Sequence, residues 1–154
     1  AGDSGPHEPL HPHLAALPEH KSVYEARRGS EPWETLIARI RDRADDERRE
    51  RADPGHWDHS AEGHNGEVAA AAAFLAWAED DAAAAAHARD LLLAIDTDFA
   101  SNNVWDINIR MPGPLIGYTT AWDFLTAADA LSDEESATIE AAITGVTQAF
   151  YDTY

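Results

Sequence analysis

Two runs of five alanines, at 69–73 and 82–86, limit the possible folds of this chain more than any other feature of its sequence. Alanine has the highest helix propensity of the natural residues, and bulky apolar side chains accompany each run at helical spacing. The helical pattern of the first run continues to Glu79, so only Asp80 and Asp81 stand between the two helical stretches, and the joint between them is a short turn. The pattern therefore predicts two helices packed as an antiparallel hairpin.

Helical periodicity also marks the chain before and after this pair. Ser30 is a suitable N-cap with Pro32 in the first turn, and Ser132 with Glu135 forms a capping box before the last apolar stripe. We predict five helices and no strand. Their approximate bounds are 30–51, 66–79, 82–95, 114–131 and 133–154, with a polar loop at 56–65 and a long irregular loop at 97–113.

Repeated helical hairpins are the unit of an (α/α) barrel or toroid, and two hairpins do not close such a ring. We therefore predict an all-α fold of antiparallel helical hairpins that forms part of an incomplete (α/α) toroid over residues 30–154. An apolar stripe along 139–154 would then form an open seam that packs against further helices. Residues 1–29, rich in proline and histidine and without sustained periodicity, are expected to form an extended N-terminal arm.

The charge of the chain restricts its partners. The net charge is −18, and Arg89 and Arg110 are the only Lys or Arg residues after position 56. Such a field repels nucleic acid and anionic membranes, so neither is an expected partner. The chain has no cysteine, which excludes a thiolate metal site and a cysteine nucleophile. Its first residues, Ala-Gly-Asp without a signal-peptide core, suggest a processed secreted or periplasmic protein.

The segment 102–112 is the strongest candidate for a binding site. It reads Asn-Asn-Val-Trp-Asp-Ile-Asn-Ile-Arg-Met-Pro and lies in the long loop, where functional residues are common. Aromatic rings stack on the C–H face of sugars, while amides and arginine hydrogen-bond hydroxyls and carboxylates. The predicted substrate-binding residues in this loop are Asn103, Trp105, Asn108 and Arg110.

Tyr118 and Trp122 extend this candidate site, because they lie one turn apart on the helix that follows the loop. Both are predicted to contact substrate as well. A core stripe has the same spacing, so packing in the core is the alternative for this pair. In the loop, the alternatives are that Trp105 fills the core and that Arg110 pairs with a nearby aspartate, Asp98 or Asp106.

The loop also resembles a segment of known enzymes. The run 103–112 is similar to the Asn-Trp-Trp, Glu-Ile-Gly, Pro segment of hyaluronate and chondroitin lyases. Matching positions are Asn103, Trp105, Ile109 and Pro112, and departing positions are Val104, Asn108 and Arg110. Two flanking segments, 65–92 and 117–135, resemble the toroid domain of alginate lyases and the heparinase II/III group. Together the resemblance covers about residues 30–150.

The resemblance implies a lyase that cleaves a uronate-containing, anionic polysaccharide by β-elimination. In these families a Tyr or His removes the C5 proton of the uronate, and a Tyr donates a proton to the leaving oxygen. The Asn, His and Tyr residues involved normally lie after the segment matched here. We therefore assign no catalytic residue and no cofactor to this chain, and expect it to be inactive without the remaining part of the lyase, on another chain or in a missing C-terminal segment.

Two other functions stay open. A non-catalytic carbohydrate-binding module would use the same loop only for capture. A toroid glycoside hydrolase would need two carboxylates facing each other across the cleft, for which Asp106 and Asp123 are available. The histidines and acids of 56–64 could bind zinc or nickel, but the histidines do not fall at an i, i+4 spacing, so no metal is predicted.

Overall fold

The computed structural model describes residues 11–12, 14–52, 58–97 and 112–152. Within these ranges the chain forms helices and no strand, which confirms the all-α prediction. None of the described helices combines the length and the hydropathy of a membrane-spanning segment. The helices are α1 (His20–Arg27), α2 (Trp33–Ala44), α3 (His59–Glu79), α4 (Ala82–Leu93), α5 (Pro112–Ala127) and α6 (Asp133–Asp152).

Helix α3 is the centre of the fold. It contacts α1, α2, α4 and α5, and 13 of its 21 residues are buried, so other parts of the chain cover most of its surface. Its alanines allow these neighbours to approach closely. The rings of Phe74, Trp77 and Phe124 fill the wider space between α3 and α5, with centroids 5.2–6.1 Å apart.

Helices α3 and α5 cross at a pair of glycines. A Cβ atom added to Gly117 would lie 2.5 Å from the carbonyl carbon of Gly66, and one added to Gly66 would lie 2.9 Å from the carbonyl oxygen of Pro114. Neither position accepts a side chain in this packing, because the opposing atoms belong to the backbone and cannot rotate away. The crossing therefore sets which residues of α3 and α5 face each other.

Short turns join the helices on either side of the central crossing. Asp80 adopts the left-handed conformation (φ 57°), and the Asp81 side chain caps α4 by accepting two backbone N–H bonds of 2.9 and 3.0 Å. Helices α3 and α4 pack against each other across this turn. Between α5 and α6 the predicted capping box forms: Glu135 Oε2 accepts the N–H of Ser132 at 2.9 Å, and the Ser132 hydroxyl oxygen accepts the N–H of Glu135 at 3.3 Å.

The N-terminal arm contains a helix that the sequence pattern does not predict. Helix α1 lies within residues 1–29, so the expectation of an extended chain is wrong for His20–Arg27. A helix of eight residues has little stability of its own and depends on packing. The buried ring of Tyr24 meets Phe74 edge-on at 5.8 Å, and its hydroxyl donates to Glu79 on α3.

Helix α2 is shorter than predicted. It ends at Ala44 instead of continuing to 51, because side chains from α3 and α4 bind the backbone that follows. Asn65 accepts from the N–H of Arg49 at 2.8 Å and donates to its carbonyl at 3.0 Å. The imidazoles of His64 and His87 lie 3.0 Å from two further carbonyl oxygens of the same segment. These bonds replace the helical ones.

Helix α3 begins earlier than predicted, at His59, so the polar loop expected over 56–65 is wrong for residues 59–65. Asp58 is the N-cap, and its carboxylate accepts the N–H bonds of Ser60 at 2.9 Å and Ala61 at 3.1 Å. The helical start carries Glu62 into the interior. That side chain becomes central to the candidate site.

Most of the described apolar stripe of α6 faces other helices of this chain. Ile139 and Val146 are buried, and Ile143 and Phe150 are half-buried. Tyr154 lies outside the described residues. Within the described part of the stripe, Ile139 and Val146 are thus covered by this chain's own helices, whereas Ile143 and Phe150 keep part of their surface exposed, so the open seam predicted along 139–154 is smaller there than expected.

Candidate functional site

A small cavity lies where α3, α5 and α6 meet the segment after α4. Its free volume is about 10 Å³, which is room for about one water molecule. Its apolar walls are formed by Ile95, Pro114, Leu115 and Val146. Its polar lining residues are Glu62, Asp96 and Tyr118, and we refer to this set of seven residues as the Glu62 cavity.

The glycine crossing brings Glu62 and Tyr118 together. Glu62 lies about one turn before Gly66, and Tyr118 directly follows Gly117, so the backbone contact places both side chains at the same level. The Tyr118 hydroxyl donates to Oε2 of Glu62 at 2.6 Å. The two residues are 3% and 2% exposed, so the bond is shielded from solvent. A hydrogen bond to a carboxylate is stronger there than at the surface.

Burial raises the pKa of Glu62 above its usual value of 4.5, because the ionised carboxylate loses its solvation. Hydrogen bonds from the Tyr118 hydroxyl and from the backbone N–H of Asp96 act in the opposite direction, as does the positive charge of Arg48. The effect of burial exceeds theirs. Glu62 therefore gives up its proton at a higher pH than an exposed glutamate does.

The pKa of Tyr118 is also raised, first by burial and then by the charge of Glu62 and the hydrogen bond to it. The phenol thus stays protonated at neutral pH and acts as a hydrogen-bond donor. A catalytic tyrosine base would need the opposite shift. Within this pair, Glu62 is the group that can take up and release a proton.

Asp96 links the Glu62 cavity to Arg51 and lies close to the start of the segment 98–111. Its carboxylate forms an ion pair with Arg51 at 3.0 Å and is 6% exposed. Asp96 stands two residues before the segment 98–111, and Pro114 stands three residues after it. Asp96 and Pro114 both line the Glu62 cavity. The chain therefore leaves for this segment, and returns from it, at the same place in the fold.

The structure separates the predicted substrate-binding residues. Tyr118 lies in the core, 3% exposed, which is the alternative that its helical spacing left open. Trp122 is half-buried and donates from Nε1 to the Ser136 hydroxyl of α6 at 3.3 Å. The two rings therefore do not form a shared platform. The other four predicted residues, Asn103, Trp105, Asn108 and Arg110, lie outside the described residues.

Next to Trp122, Asp123 anchors the N-terminal segment. Asp123 is fully buried, and its carboxylate lies 2.6 Å from Nδ1 of His11 and accepts the backbone N–H of Leu14 at 2.9 Å. The His11 ring meets Trp122 edge-on at 5.4 Å. Asp123 therefore holds the arm against α5. This role does not fit a catalytic acid that must face a sugar, and Asp106, the other acid considered, lies outside the described residues.

Sequence reasoning missed the two acids of the cavity. It considers Glu62 only within the His, Asp and Glu group of 56–64, and it does not select Asp96. Among the residues that the structure describes, no three His, Asp or Glu side chains are placed to hold a metal ion. The useful signal was Asp58 as an N-cap, since a helix starting at 59 carries Glu62 on the same face as Gly66.

No protein-family model, curated protein or solved structure matches the chain. Function is therefore inferred from the residues and contacts of the Glu62 cavity and from the resemblance carried by 65–92, 103–112 and 117–135.

Proposed function

We propose that this chain supplies part of the substrate cleft of an (α/α) toroid polysaccharide lyase, which cleaves a uronate-containing polysaccharide by β-elimination. One observation carries the proposal. The two segments that resemble toroid lyases, 65–92 and 117–135, contact each other backbone to backbone through Gly66 and Gly117. The similar residues thus form one packed helix pair. Packing of these two segments against each other supports a common helical framework for them.

We place the proposed cleft next to the Glu62 cavity. The segment 98–111, which carries the Asn-Trp resemblance, begins and ends at this cavity. In the proposed cleft Trp105 stacks on the C–H face of a sugar ring, and Asn103 and Asn108 hydrogen-bond its hydroxyls. Arg110 brings the positive charge that meets a uronate carboxylate. Tyr118 contributes indirectly, by holding Glu62 in the cavity through its hydrogen bond.

The proposal gives this chain a binding role. β-Elimination needs a base for the C5 proton and a donor for the leaving oxygen. Tyr118 does not suit the base, because its pKa is raised. Proton transfer is therefore assigned to catalytic residues on the remaining part of the lyase, and no cofactor is included. A polymeric uronate is an extracellular substrate, so the proposal includes a secreted or periplasmic location.

A toroid glycoside hydrolase is the second candidate. Glu62 and Asp96 bring two carboxyl groups to one cavity. Burial raises the pKa of Glu62, which is what a general acid needs, and Arg51 compensates the charge of Asp96. A hydrolase forms new reducing ends without the unsaturated uronate that a lyase releases, so the products of the two enzymes differ.

Binding is tested by calorimetric titration with oligosaccharides of alginate, chondroitin, hyaluronan and heparin. We expect one of these uronate polymers to bind, and Trp105→Ala to weaken binding by about 1–3 kcal/mol, by analogy with the stacking of bases on aromatic side chains. Trp33→Ala is the matched control. Trp33 lies against the Arg27 guanidinium at 5.3 Å and does not line the Glu62 cavity, so the affinity of that variant should be unchanged.

Product analysis of the full-length protein separates the two candidates. Ultraviolet absorbance from an unsaturated uronate supports the lyase, whereas reducing ends without this absorbance support the hydrolase. Activity of the present chain alone would contradict the assignment of proton transfer to other residues. A large loss of melting temperature in Trp105→Ala, with unchanged affinity, would place Trp105 in the core and contradict the proposed cleft.

A further inference from the structure

The stretch after α2, residues 45–52, is held on the fold mainly through its backbone, and we call it the 45–52 strap. Asn65 of α3 bonds both the N–H and the carbonyl of Arg49. The imidazoles of His64 and His87 lie 3.0 Å from two further carbonyl oxygens of the strap. Six of its eight residues are exposed and two are half-buried, so the strap buries little apolar surface. Such a segment opens at a lower free-energy cost than the helices beneath it.

Two arginines connect the strap to the Glu62 cavity. Arg48 donates to the carbonyl of Ala94 at 3.3 Å, and Arg51 forms its ion pair with Asp96 at 3.0 Å. Asp96 lines the cavity, and its backbone N–H donates to Glu62. A short chain of contacts therefore joins the strap to the buried carboxyl group of Glu62.

The charged and polar groups around Glu62 come from three other parts of the fold. Helix α5 contributes Tyr118, the segment after α4 contributes Asp96, and the strap contributes Arg48, while Val146 of α6 adds an apolar wall. Burial raises the pKa of Glu62 most strongly, and the charge of Asp96 raises it further, whereas the positive charge of Arg48 lowers it. No described residue that lines the cavity belongs to the strap. Departure of the strap would thus remove the charge of Arg48 and leave Glu62 buried.

This arrangement makes docking of the strap depend on the proton of Glu62. The docked strap favours the ionised form of Glu62 through Arg48, so an ionised Glu62 must favour the docked strap by the same factor. When Glu62 takes up a proton, Arg48 loses that attraction. Docking is therefore strongest above the folded pKa of Glu62 and weakens as the pH falls through it.

Other titratable groups face the strap as well. His64 and His87 bond its carbonyl oxygens through Nε2, which carries a hydrogen in the protonated imidazole too, so acid leaves these two contacts in place. The acids on or beside the strap are Asp45, Asp46, Glu47, Glu50 and Asp58. A variant changed only at Glu62 retains all of them, so its difference from wild type isolates the effect of Glu62.

We propose that residues 45–52 form a proton-linked strap, which stays docked while Glu62 is ionised and is released more often when Glu62 takes up a proton. Release frees Ala94 and Asp96, which precede the segment 98–111, from the two arginines. The inference goes beyond the proposed function and does not rest on it, because it needs no polysaccharide.

The test is hydrogen exchange of the Arg49 amide, whose N–H donates to Asn65 at 2.8 Å and so reports docking of the strap. Between about pH 7 and about pH 4.5, the protection of this amide should fall about three- to tenfold more in wild type than in Glu62→Gln, the factor that a pKa difference of about 0.5–1 between the docked and released strap gives. Glu79→Gln is the matched control. Glu79 also lies on α3 and also accepts from a tyrosine, but it is bonded to Arg41, so this variant should behave like wild type.

Variants of Arg48 test the coupling charge. In Arg48→Gln the effect of the Glu62→Gln substitution on exchange should disappear, whereas Arg48→Lys should retain it because the positive charge is kept. An equal fall in protection in wild type and Glu62→Gln, or an unchanged effect of Glu62→Gln in the Arg48→Gln background, overturns the proposal. So does exchange of the Arg49 amide at the rate of the buried Val68 amide of α3 at every pH, since the strap would then open only with the whole fold. Circular dichroism at each pH verifies that the helices are retained.

Discussion

Helix α3 carries a glutamate near each end, and each glutamate accepts a hydrogen bond from a tyrosine. The pKa of the glutamate is raised in one pair and lowered in the other. Glu62 is bonded by Tyr118 of α5 and is 2% exposed, and its pKa is raised by burial. Glu79 is bonded by Tyr24 of α1 and also forms an ion pair with Arg41 at 2.5 Å. Burial acts on Glu79 too, but the hydrogen bonds from Tyr24 and Arg41 outweigh it and lower its pKa.

The comparison shows that a directly bonded guanidinium stabilises the ionised form of a partly buried carboxylate. At Glu79, Arg41 compensates the carboxylate, and the pKa of Tyr24 rises to about 12 through burial and the bond to this charge. At Glu62, Arg48 contributes its charge, and its guanidinium is hydrogen-bonded to Glu50 and to the Ala94 carbonyl. The Glu79 end is thus a stabilising link between helices. The Glu62 end keeps a carboxyl group whose ionisation is costly, a feature that is common at functional sites.

The largest effect is expected from separating the helices at the Glu62 end. In Gly117→Ala the new Cβ would lie 2.5 Å from the carbonyl carbon of Gly66, so α3 and α5 must move apart. We expect a loss of about 3 kcal/mol in the free energy of unfolding, measured in urea. Gly145→Ala is the control, because no atom lies within 4 Å of its added Cβ, and it should gain about 0.5–1 kcal/mol. Equal stability of Gly117→Ala and wild type would contradict the close crossing.

An intermediate effect is expected from removing each hydroxyl. Tyr118→Phe leaves the buried carboxyl of Glu62 without its side-chain donor, which should cost about 2 kcal/mol. Tyr24→Phe should cost about 1 kcal/mol or less, because Arg41 still donates to Glu79. Urea unfolding of both variants near neutral pH measures the difference. A larger loss in Tyr24→Phe than in Tyr118→Phe would reverse the comparison.

Local sequence signals predicted the all-helical fold because they act within one helix. The alanine runs, the Asp81 cap and the Ser132–Glu135 capping box each stabilise a helix through neighbouring residues. Helix α1 and the end of α2 depend on contacts with distant residues, Glu79 and Asn65, and no local pattern reports those.

The candidate site was harder to predict than the helices, because it too depends on contacts between residues that are distant in the sequence. Glu62 and Tyr118 are 56 positions apart and meet only because Gly66 and Gly117 allow two backbones to touch. Periodicity indicates that Tyr118 lies on an apolar face, but it cannot identify the carboxylate opposite it. A pair of glycines within helical stretches is the one sequence signal that suggests a close crossing, and it does not say which glycines pair.

The smallest effect is a difference in pH dependence between the two glutamates. For Glu62 the folded pKa lies above the usual value of 4.5, so the folded chain holds this proton more tightly than the unfolded chain. Its contribution to stability is complete below pH 4.5 and is lost as the pH rises through the folded pKa. For Glu79 the folded pKa lies below 4.5, so its contribution is present above that pH and is lost on acidification through the folded pKa.

Glutamine substitutions isolate these two opposite pH dependences of stability, because the other acids of the chain titrate alike in variant and wild type. The stability of Glu62→Gln relative to wild type should increase as the pH is raised above 4.5, since the variant has no proton to lose. The deficit of Glu79→Gln should shrink as the pH is lowered below 4.5, because wild type then loses the charge that Arg41 binds. Urea unfolding of the three proteins across this pH range measures both differences. If the two variants deviate from wild type in the same direction with pH, Glu62 is compensated as fully as Glu79, and the distinction between the two ends of α3 fails.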